Sequence, residues 1–235
     1  MCSLAAGVNF ACALISDGSV QCWGNNDSGQ LGNSSYTSTN VPVVVKGLVN
    51  ATAIAAGDSF ACAILATKSV KCWGRGLEGQ IGNGGNLNVN VPHSVSGLDN
   101  VQNIALGWGH ACAVLVDSTV KCWGFNGNGQ IGDGTQTSRN SPVLVTGVSE
   151  ISAITAGESS SCATLISGPG KCWGQNNLGQ LGNGNRADVS AIATFVSGIT
   201  NAGIVASSDH TSCVLLIDNK LRCWGRGANG QLDDG

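Results

Sequence analysis

Charge is scarce in this sequence, and no cluster of one sign compensates for the scarcity. Asp, Glu, Lys and Arg make up 11% of the residues, and the 11 basic residues are scattered singly, for a formal net charge of −3. A typical globular domain carries about 25% charged residues. Because no basic stripe is available to neutralise consecutive phosphates, the sequence predicts no nucleic-acid partner.

Long apolar runs are also lacking. No run approaches the roughly 20 residues that cross a bilayer, and the N-terminus has neither the basic segment nor the apolar core of a secretory signal. We therefore expect no membrane span.

Motifs for catalysis and metal binding are missing as well. No Ser/His/Asp or Cys/His triplet recurs and no acidic pair stands out, so we assign no catalytic residue and no cofactor. The cysteines form no Cys-x-x-Cys pair, and His93, His110 and His210 share no spacing to them, which argues against a metal site. The glycine-rich segments follow strands without the Lys-Ser or Lys-Thr ending of a phosphate-binding loop.

What the sequence does have is a repeat of about 50 residues. Cys-Trp-Gly recurs five times, a second cysteine precedes each copy by ten residues, and a glutamine follows each glycine by six. The units are approximately 1–50, 51–100, 101–150, 151–200 and 201–235, which we interpret as a single repeat domain. Repeats of this length are typical of β-propeller blades and other repeat architectures.

Each unit predicts short strands. In the second unit, residues 60–65 and 69–73 are rich in β-branched or aromatic residues and are bounded by turn formers. Two further strands are expected around residues 53–56 and, in the first unit, 43–45. Four short strands per unit favour an all-β, propeller-type fold over a β-helix or another solenoid.

The paired cysteines are predicted to face each other across hairpins. The turn Ser16-Asp17-Gly18 fits a three-residue loop with a left-handed third position, and this register places Cys12 opposite Cys22. The same register pairs the other cysteines as Cys62 with Cys72, Cys112 with Cys122, Cys162 with Cys172, and Cys213 with Cys223. Disulfides within an oxidising compartment are one interpretation, and reduced cysteines acting as buried apolar fillers are the other.

Two further repeated residue types are assigned to the scaffold. The tryptophan of each Cys-Trp-Gly is expected to pack against the neighbouring blade. Gln30 and its equivalents are expected to bind loop backbone, and the repeated glycines to adopt positive φ.

These residues carry a family resemblance. Ala-Gly-x-x-x-x-Cys-Ala-Leu followed by Asp-Gly-x-Val-x-Cys-Trp-Gly-x-Asn-x-x-Gly-Gln-Leu-Gly resembles the regulator of chromosome condensation repeat over essentially the whole chain. The resemblance implies a seven-bladed propeller. The double-cysteine form is similar to the extracellular branch of the family, found in plant crinkly receptor ectodomains and secreted bacterial proteins, which supports the disulfide interpretation and an extracellular or cell-surface location.

Five units do not make seven blades, and the fifth ends at Asp233-Asp234-Gly235 without a fourth strand, with Asp233 in place of a repeated glycine. A smaller closed ring, a fragment of a longer propeller, an open arc, and a ring completed by another copy all remain open. Because an unclosed sheet edge invites pairing, further copies of the chain are candidate partners.

Positions that break the repeat are the candidate binding residues. The residues shared by the five units, which we call the template, serve the scaffold, whereas the loops are free to vary. They are Tyr36, Arg75, Trp108, Phe125, Arg139 and Arg186. Trp108 occupies a place that is acidic in three other units, as Asp58, Glu158 and Asp209, so these carboxylates should share one face, either solvated or around a cation.

The leading functional hypothesis is a non-enzymatic module that binds a protein partner or further copies of itself through variable loops. The alternatives are an intracellular regulator of a small GTPase, as the founding member of the family is, and a lectin-like propeller that binds carbohydrate through exposed aromatics. Cys2 is left over from the pairing, and Asn-x-Ser/Thr sequences begin at Asn26, Asn33 and Asn50.

Overall fold

The computed structural model describes residues 2–232, which form five antiparallel sheets and, within that range, no helix. The first sheet contains β1 (Ser3–Ala6), β2 (Phe10–Leu14), β3 (Val20–Gly24) and β4 (Thr39–Val44). The second contains β5 (Ala51–Ala56), β6 (Phe60–Leu65), β7 (Val70–Gly74) and β8 (Val89–Ser94). The third contains β9 (Val101–Leu106), β10 (His110–Leu115), β11 (Val120–Gly124) and β12 (Arg139–Leu144). The fourth contains β13 (Ile151–Ala156), β14 (Ser160–Leu165), β15 (Gly170–Gln175) and β16 (Val189–Phe195), and the fifth contains β17 (Ala202–Ser207), β18 (Thr211–Leu216) and β19 (Leu221–Gly225).

The strands of each sheet follow one another in sequence order, and each sheet arises from one repeat unit. The first strands of consecutive sheets contact one another, which places them on the inside of the array. The all-β, blade-type prediction is confirmed. One difference is that β4 begins at Thr39 and includes Pro42, so it is longer than the predicted 43–45. The proline is tolerated because β4 is an edge strand, so the backbone groups along its outer edge need no partner strand.

The hairpin register is confirmed at the turns. The third loop position has positive φ in every unit, including the non-glycine residues Lys68 (61°), Ser118 (64°) and Asn219 (63°). Each cysteine pair is therefore directly opposed and forms a disulfide with a Cα–Cα separation of 4.0 to 4.1 Å. Cys2, the free cysteine of the described residues, is exposed.

The repeated tryptophans join neighbouring sheets, as predicted. The indole N–H of Trp123 donates to the carbonyl oxygen of Gln80 in the preceding sheet at 2.9 Å, and Trp173 makes the same bond to Gln130 at 2.8 Å. Trp123 packs among apolar residues of the second sheet and is fully buried. One apolar cluster of this kind fills each of the four boundaries between consecutive sheets.

The predicted role of the glutamines is also confirmed. The side-chain oxygen of Gln30 accepts the backbone N–H of Ser28 at 3.0 Å, and the equivalent bond recurs in all five units. Asn26 beside it is fully buried, with its amide donating to the carbonyl oxygens of Ser35 and Thr37. Asn26 is therefore unsuited to glycosylation in the folded chain, unlike Asn50, which is exposed in a turn.

The described residues form an arc of sheets. Each sheet packs extensively on the next, whereas within residues 2–232 the first and fifth sheets share no comparable packing. Within residues 2–232 the sheets therefore do not close into a five-membered ring. The predicted ending at residues 233–235 lies outside the described residues.

Candidate functional site

An opening of about 500 Å³ lies where the inner strands of all five sheets end. Its wall is made by the short turns between the first and second strand of each sheet. These turns bring five equivalent residues of the repeat side by side, namely Val8, Asp58, Trp108, Glu158 and Asp209. The prediction that the three carboxylates share one face is confirmed. We refer to this surface, together with Arg75, Glu78 and Phe125 beside Trp108, as the axial face.

The turns approach each other closely because those of the first four sheets begin with a glycine, at Gly7, Gly57, Gly107 and Gly157; the turn of the fifth sheet begins with Ser208. A Cβ added at Gly57 would collide with the carbonyl oxygen of Gly107, and one added at Gly107 would collide with that of Gly157. Glycine is required here for space rather than for its φ angle. The close approach brings the neighbouring acidic and aromatic side chains into one opening.

Trp108 is held on both sides by residues that also break the repeat. The Arg75 guanidinium lies 4.6 Å from the centre of the Trp108 ring, a cation–π arrangement. The Phe125 ring meets Trp108 edge to face at 5.7 Å between centroids, with an interplanar angle of 81°. All three side chains are half-buried. Three of the six sequence-predicted binding residues therefore form one cluster.

Glu78 is a member of this cluster that the sequence reasoning missed. Its carboxylate lies 3.5 Å from the guanidinium of Arg75, which is three residues earlier in the same loop. The signal was available, because residue 78 occupies a template position held by uncharged residues in the other units. On the other side of the opening, the Glu158 carboxylate lies 3.8 Å from the His210 ring.

Of the other three predicted residues, Tyr36 and Arg186 lie in the long connections between third and fourth strands, and Arg139 is the first residue of β12, where such a connection ends. Tyr36 and Arg186 are exposed. Arg139 is engaged internally, since its guanidinium bonds to the Asp133 carboxylate and to the Thr135 hydroxyl. Burial by itself raises the pKa of Asp133, but the hydrogen bonds from Thr135 and Arg139 outweigh it and lower the pKa below its ordinary value. Arg139 therefore stabilises its own loop.

His110 is the buried titratable group nearest to the axial face. Its Nε2 lies 2.9 Å from the Ser161 hydroxyl, which in turn donates to the carbonyl oxygen of Gln130. Because Ser161 uses its proton on that carbonyl, Nε2 carries the imidazole proton and Nδ1 is an acceptor without a partner. Desolvation lowers the pKa of His110 to about 4, so it is neutral at physiological pH.

Within residues 2–232, no three His, Cys, Asp or Glu side chains come together as metal ligands. Ser161 is committed to Gln130, and His110 is sealed between sheets. Within residues 2–232 there is also no helix that could span a membrane.

Several solved structures share this fold. Human WBSCR16 aligns with a TM-score of 0.86 at 21% identity, over 97% of this chain and 62% of its own. Prp20p from Saccharomyces cerevisiae aligns with a TM-score of 0.79 at 22% identity, over 88% of this chain and 53% of its own. The ectodomain of the Arabidopsis thaliana receptor kinase ACR4 aligns with a TM-score of 0.57 at 22% identity, over 95% and 63%.

The chain thus spans between half and two thirds of the length of these structures. No curated protein matches the sequence. The regulator of chromosome condensation repeat itself matches residues 17–64, 70–114 and 118–164, and a second form of the same repeat matches 1–30, 51–80, 101–130 and 204–231. With its blade-type sheets and these matches over more than half of its length, the chain belongs to the regulator of chromosome condensation repeat family.

Proposed function

We propose that this chain is a non-catalytic module that binds a protein partner through its axial face, with Trp108 as the main contact. The observation that carries the proposal is the cluster of Trp108 with Arg75 and Phe125, three residues that depart from the repeat and meet at one opening. The other units form the same kind of sheet without these three residues, so the scaffold does not require them. Tryptophan and arginine are the side chains most enriched among interface residues that dominate binding energy.

The charges of the axial face favour a particular partner chemistry. Asp58, Glu158 and Asp209 contribute negative charge around the opening, whereas the positive charge of Arg75 is already shared between Glu78 and Trp108. A partner segment that places a Lys or Arg near an apolar side chain would satisfy both the carboxylates and the half-buried indole. Association through this face should weaken as salt is raised.

The disulfides support an extracellular or cell-surface setting for this binding. All five hairpins carry a cross-strand disulfide, and such bonds persist in oxidising compartments. An intracellular role on a GTPase is the alternative. Prp20p, whose structure was described together with its binding properties to Gsp1p and histones, is similar to this chain at 22% identity, which is a likeness of fold alone.

The test is selection of peptides from a random 12-residue phage library against the intact chain. We expect the selected peptides to carry basic residues beside apolar ones and to lose at least tenfold in affinity for Trp108→Asp. Asp is the residue of the template at Asp58, so the variant should fold. The matched control is Tyr36→Asn, an exposed loop position outside the axial face. Peptides that bind wild type and Trp108→Asp equally would overturn the proposal.

Carbohydrate binding by the same aromatics makes a different prediction. A sugar ring needs an open aromatic face, and one face of Trp108 is taken by Arg75. A glycan array on which Trp108→Asp abolishes binding to a defined sugar, with no peptide selected, would favour the lectin alternative.

A further inference from the structure

The fourth strands of the complete sheets form the outer rim of the array, and each has one edge paired to the third strand. Three of them, β4, β8 and β12, contain a proline at the same position of the repeat, as Pro42, Pro92 and Pro142. Pro42 precedes Val43, which lies opposite Cys22. In the fourth sheet Thr194 lies opposite the equivalent Cys172, so Ala193 of β16 takes the place of the proline.

The prolines lie where the backbone points away from the sheet. In the first sheet the N–H of Val45 donates to the carbonyl oxygen of Val20 at 2.9 Å. Because the backbone groups of a strand point alternately to its two edges, Val43 also faces the third strand, whereas Pro42 and Val44 face outward. A proline at an outward position removes a donor from the free edge. This is one of the ways in which proteins keep an exposed edge from pairing with another chain.

The outer edge of β16 keeps this donor. In the fourth sheet the N–H of Val196 donates to the carbonyl oxygen of Gly170 at 2.9 Å. By the same alternation, the N–H and C=O groups of Ala193 and Phe195 point outward. No strand among residues 2–232 pairs with this edge. Since β16 contains no charged residue either, it lacks both proline and charge, the two features that commonly protect an edge strand.

The side chains at this edge face the third sheet, which is complete. Ala193 packs against the apolar cluster between the third and fourth sheets. Phe195 lies on the same face of β16, with its ring 4.4 Å from the Lys171 ammonium. Phe195 is 57% exposed, and Val44 and Leu144 at the equivalent position are each 59% exposed. Exposure is therefore common to the whole rim, and the absence of proline is what distinguishes β16.

We propose that two copies of the chain associate through the outer edge of β16, with the two strands antiparallel and related by a twofold axis. Ala193 of each copy lies opposite Phe195 of the other, and each of these pairs exchanges N–H···O bonds in both directions. The fourth sheets of the two copies thereby join into one continuous sheet. Because β16 lies on the rim, the axial face of each copy stays free to bind its own partner.

The strand is complementary to itself in this register. Each Phe195 ring lies beside the small side chain of Ala193 across the pair, and the two Thr194 side chains meet on the opposite face at the twofold axis. Two uncharged strands do not repel each other, and a twofold arrangement makes every favourable contact twice. A charged partner segment, in contrast, would find no countercharge on β16 itself. These features favour a second copy as the occupant.

Sedimentation velocity over roughly a hundredfold range of chain concentration tests the proposal. We expect the mass to rise from the 23.6 kDa of one chain towards twice that value. Amide hydrogen exchange locates the interface. Exchange at Ala193 and Phe195 should slow at least tenfold as the dimer forms, because their outward N–H groups become hydrogen-bonded.

Variants that restore template residues complete the test. Ala193→Pro supplies the residue of the other three rim strands, so it should fold, and it should weaken the dimer at least tenfold. Phe195→Ser supplies the residue of Ser94 and should weaken the dimer at least fivefold. The matched control is Leu144→Ser, which removes an equally exposed side chain from proline-containing β12 and should leave the dimer unchanged. Trp108→Asp should also leave it unchanged, which separates this interface from the axial face.

A chain that remains monomeric over the whole concentration range would overturn the proposal, as would an Ala193→Pro variant that dimerises as strongly as wild type. A dimer in which hydrogen exchange slows at another strand edge, with Ala193 and Phe195 unaffected, would overturn it as well.

Discussion

The indole nitrogen of Trp73 lies 2.9 Å from the carbonyl oxygen of Gln30, 43 residues earlier in the chain, and this bond joins the second sheet to the first. The same bond recurs at each boundary between sheets. It couples two parts of the repeat, the Cys-Trp-Gly of one unit and the Gly-Gln loop of the unit before. The second, third and fourth sheets thus each supply a donor to the preceding sheet and an acceptor to the following one.

Trp73→Phe should lower the free energy of unfolding by about 1–3 kcal/mol, because it leaves the buried carbonyl of Gln30 without this donor and removes part of the ring. Urea unfolding monitored by circular dichroism measures the change. Trp23→Phe is the matched control, since Trp23 of the first sheet is half-buried and has no preceding sheet among the described residues. An equal loss in both variants would contradict the inter-sheet role.

Buried His110 makes stability depend on pH. Its pKa is lowered by desolvation from 6.5 to about 4, so the unfolded chain binds a proton between those values and the folded chain does not. Its contribution to stability is therefore complete above about pH 6.5 and is lost as pH falls towards 4, by about 3 kcal/mol in total.

The check is chemical denaturation at pH 7.5, 6 and 5 for wild type and His110→Phe. Phe60 holds the equivalent position in the second sheet, so the substitution should be accommodated. We expect the variant to lose less stability than wild type between pH 7.5 and 5. Identical pH profiles would show that His110 does not titrate as its burial requires.

The disulfides predict a thiol count. Without reductant, the unfolded chain should react with about one equivalent of a thiol reagent, from Cys2, rather than with eleven. A count near eleven would contradict the proposed extracellular location.

The double substitution Cys112→Ala with Cys122→Ala opens a ten-residue loop and should lower the free energy of unfolding by about 2–3 kcal/mol. Cys2→Ala, which removes an exposed free thiol, is the control and should leave stability unchanged.

Gly107→Ala should destabilise the chain by about 1–3 kcal/mol, because its Cβ would collide with the carbonyl oxygen of Gly157 and with the His110 ring. Gly85→Ala is the matched control, since its Cβ would have one neighbour at 3.4 Å and its φ is not positive. Thermal unfolding of both variants measures the difference. A Gly107→Ala variant as stable as Gly85→Ala would contradict the close approach of the turn at Gly107 to the turn at Gly157.

Most of the scaffold could be predicted from sequence because it is local and repeated. The hairpin between Cys12 and Cys22 depends on a three-residue turn whose left-handed position is visible in the sequence, and the opposed cysteines follow from it. Repetition made the same inference available five times, including at Lys68, where the residue type alone would not have indicated positive φ.

The binding face could be predicted in part. Template alignment placed Asp58, Glu158 and Asp209 on one face, since equivalent positions of stacked units are neighbours. It could not reveal that Arg75 lies over Trp108, because the two residues belong to different sheets and their contact depends on the rotation between sheets. Arg139 was predicted to be a binding residue, but its contact with Asp133 depends on the conformation of a long connection that the repeat pattern does not specify.

The amino-acid sequence by itself determined the unit: its period, its hairpins, its cysteine pairs and the family to which it belongs. These features depend on backbone geometry and on contacts within about 50 residues of chain. Only the tertiary structure decided which variable residues meet, namely that Arg75, Trp108 and Phe125 come together beside the axial opening. Such contacts are a property of the whole array, because they depend on how neighbouring sheets are rotated against each other.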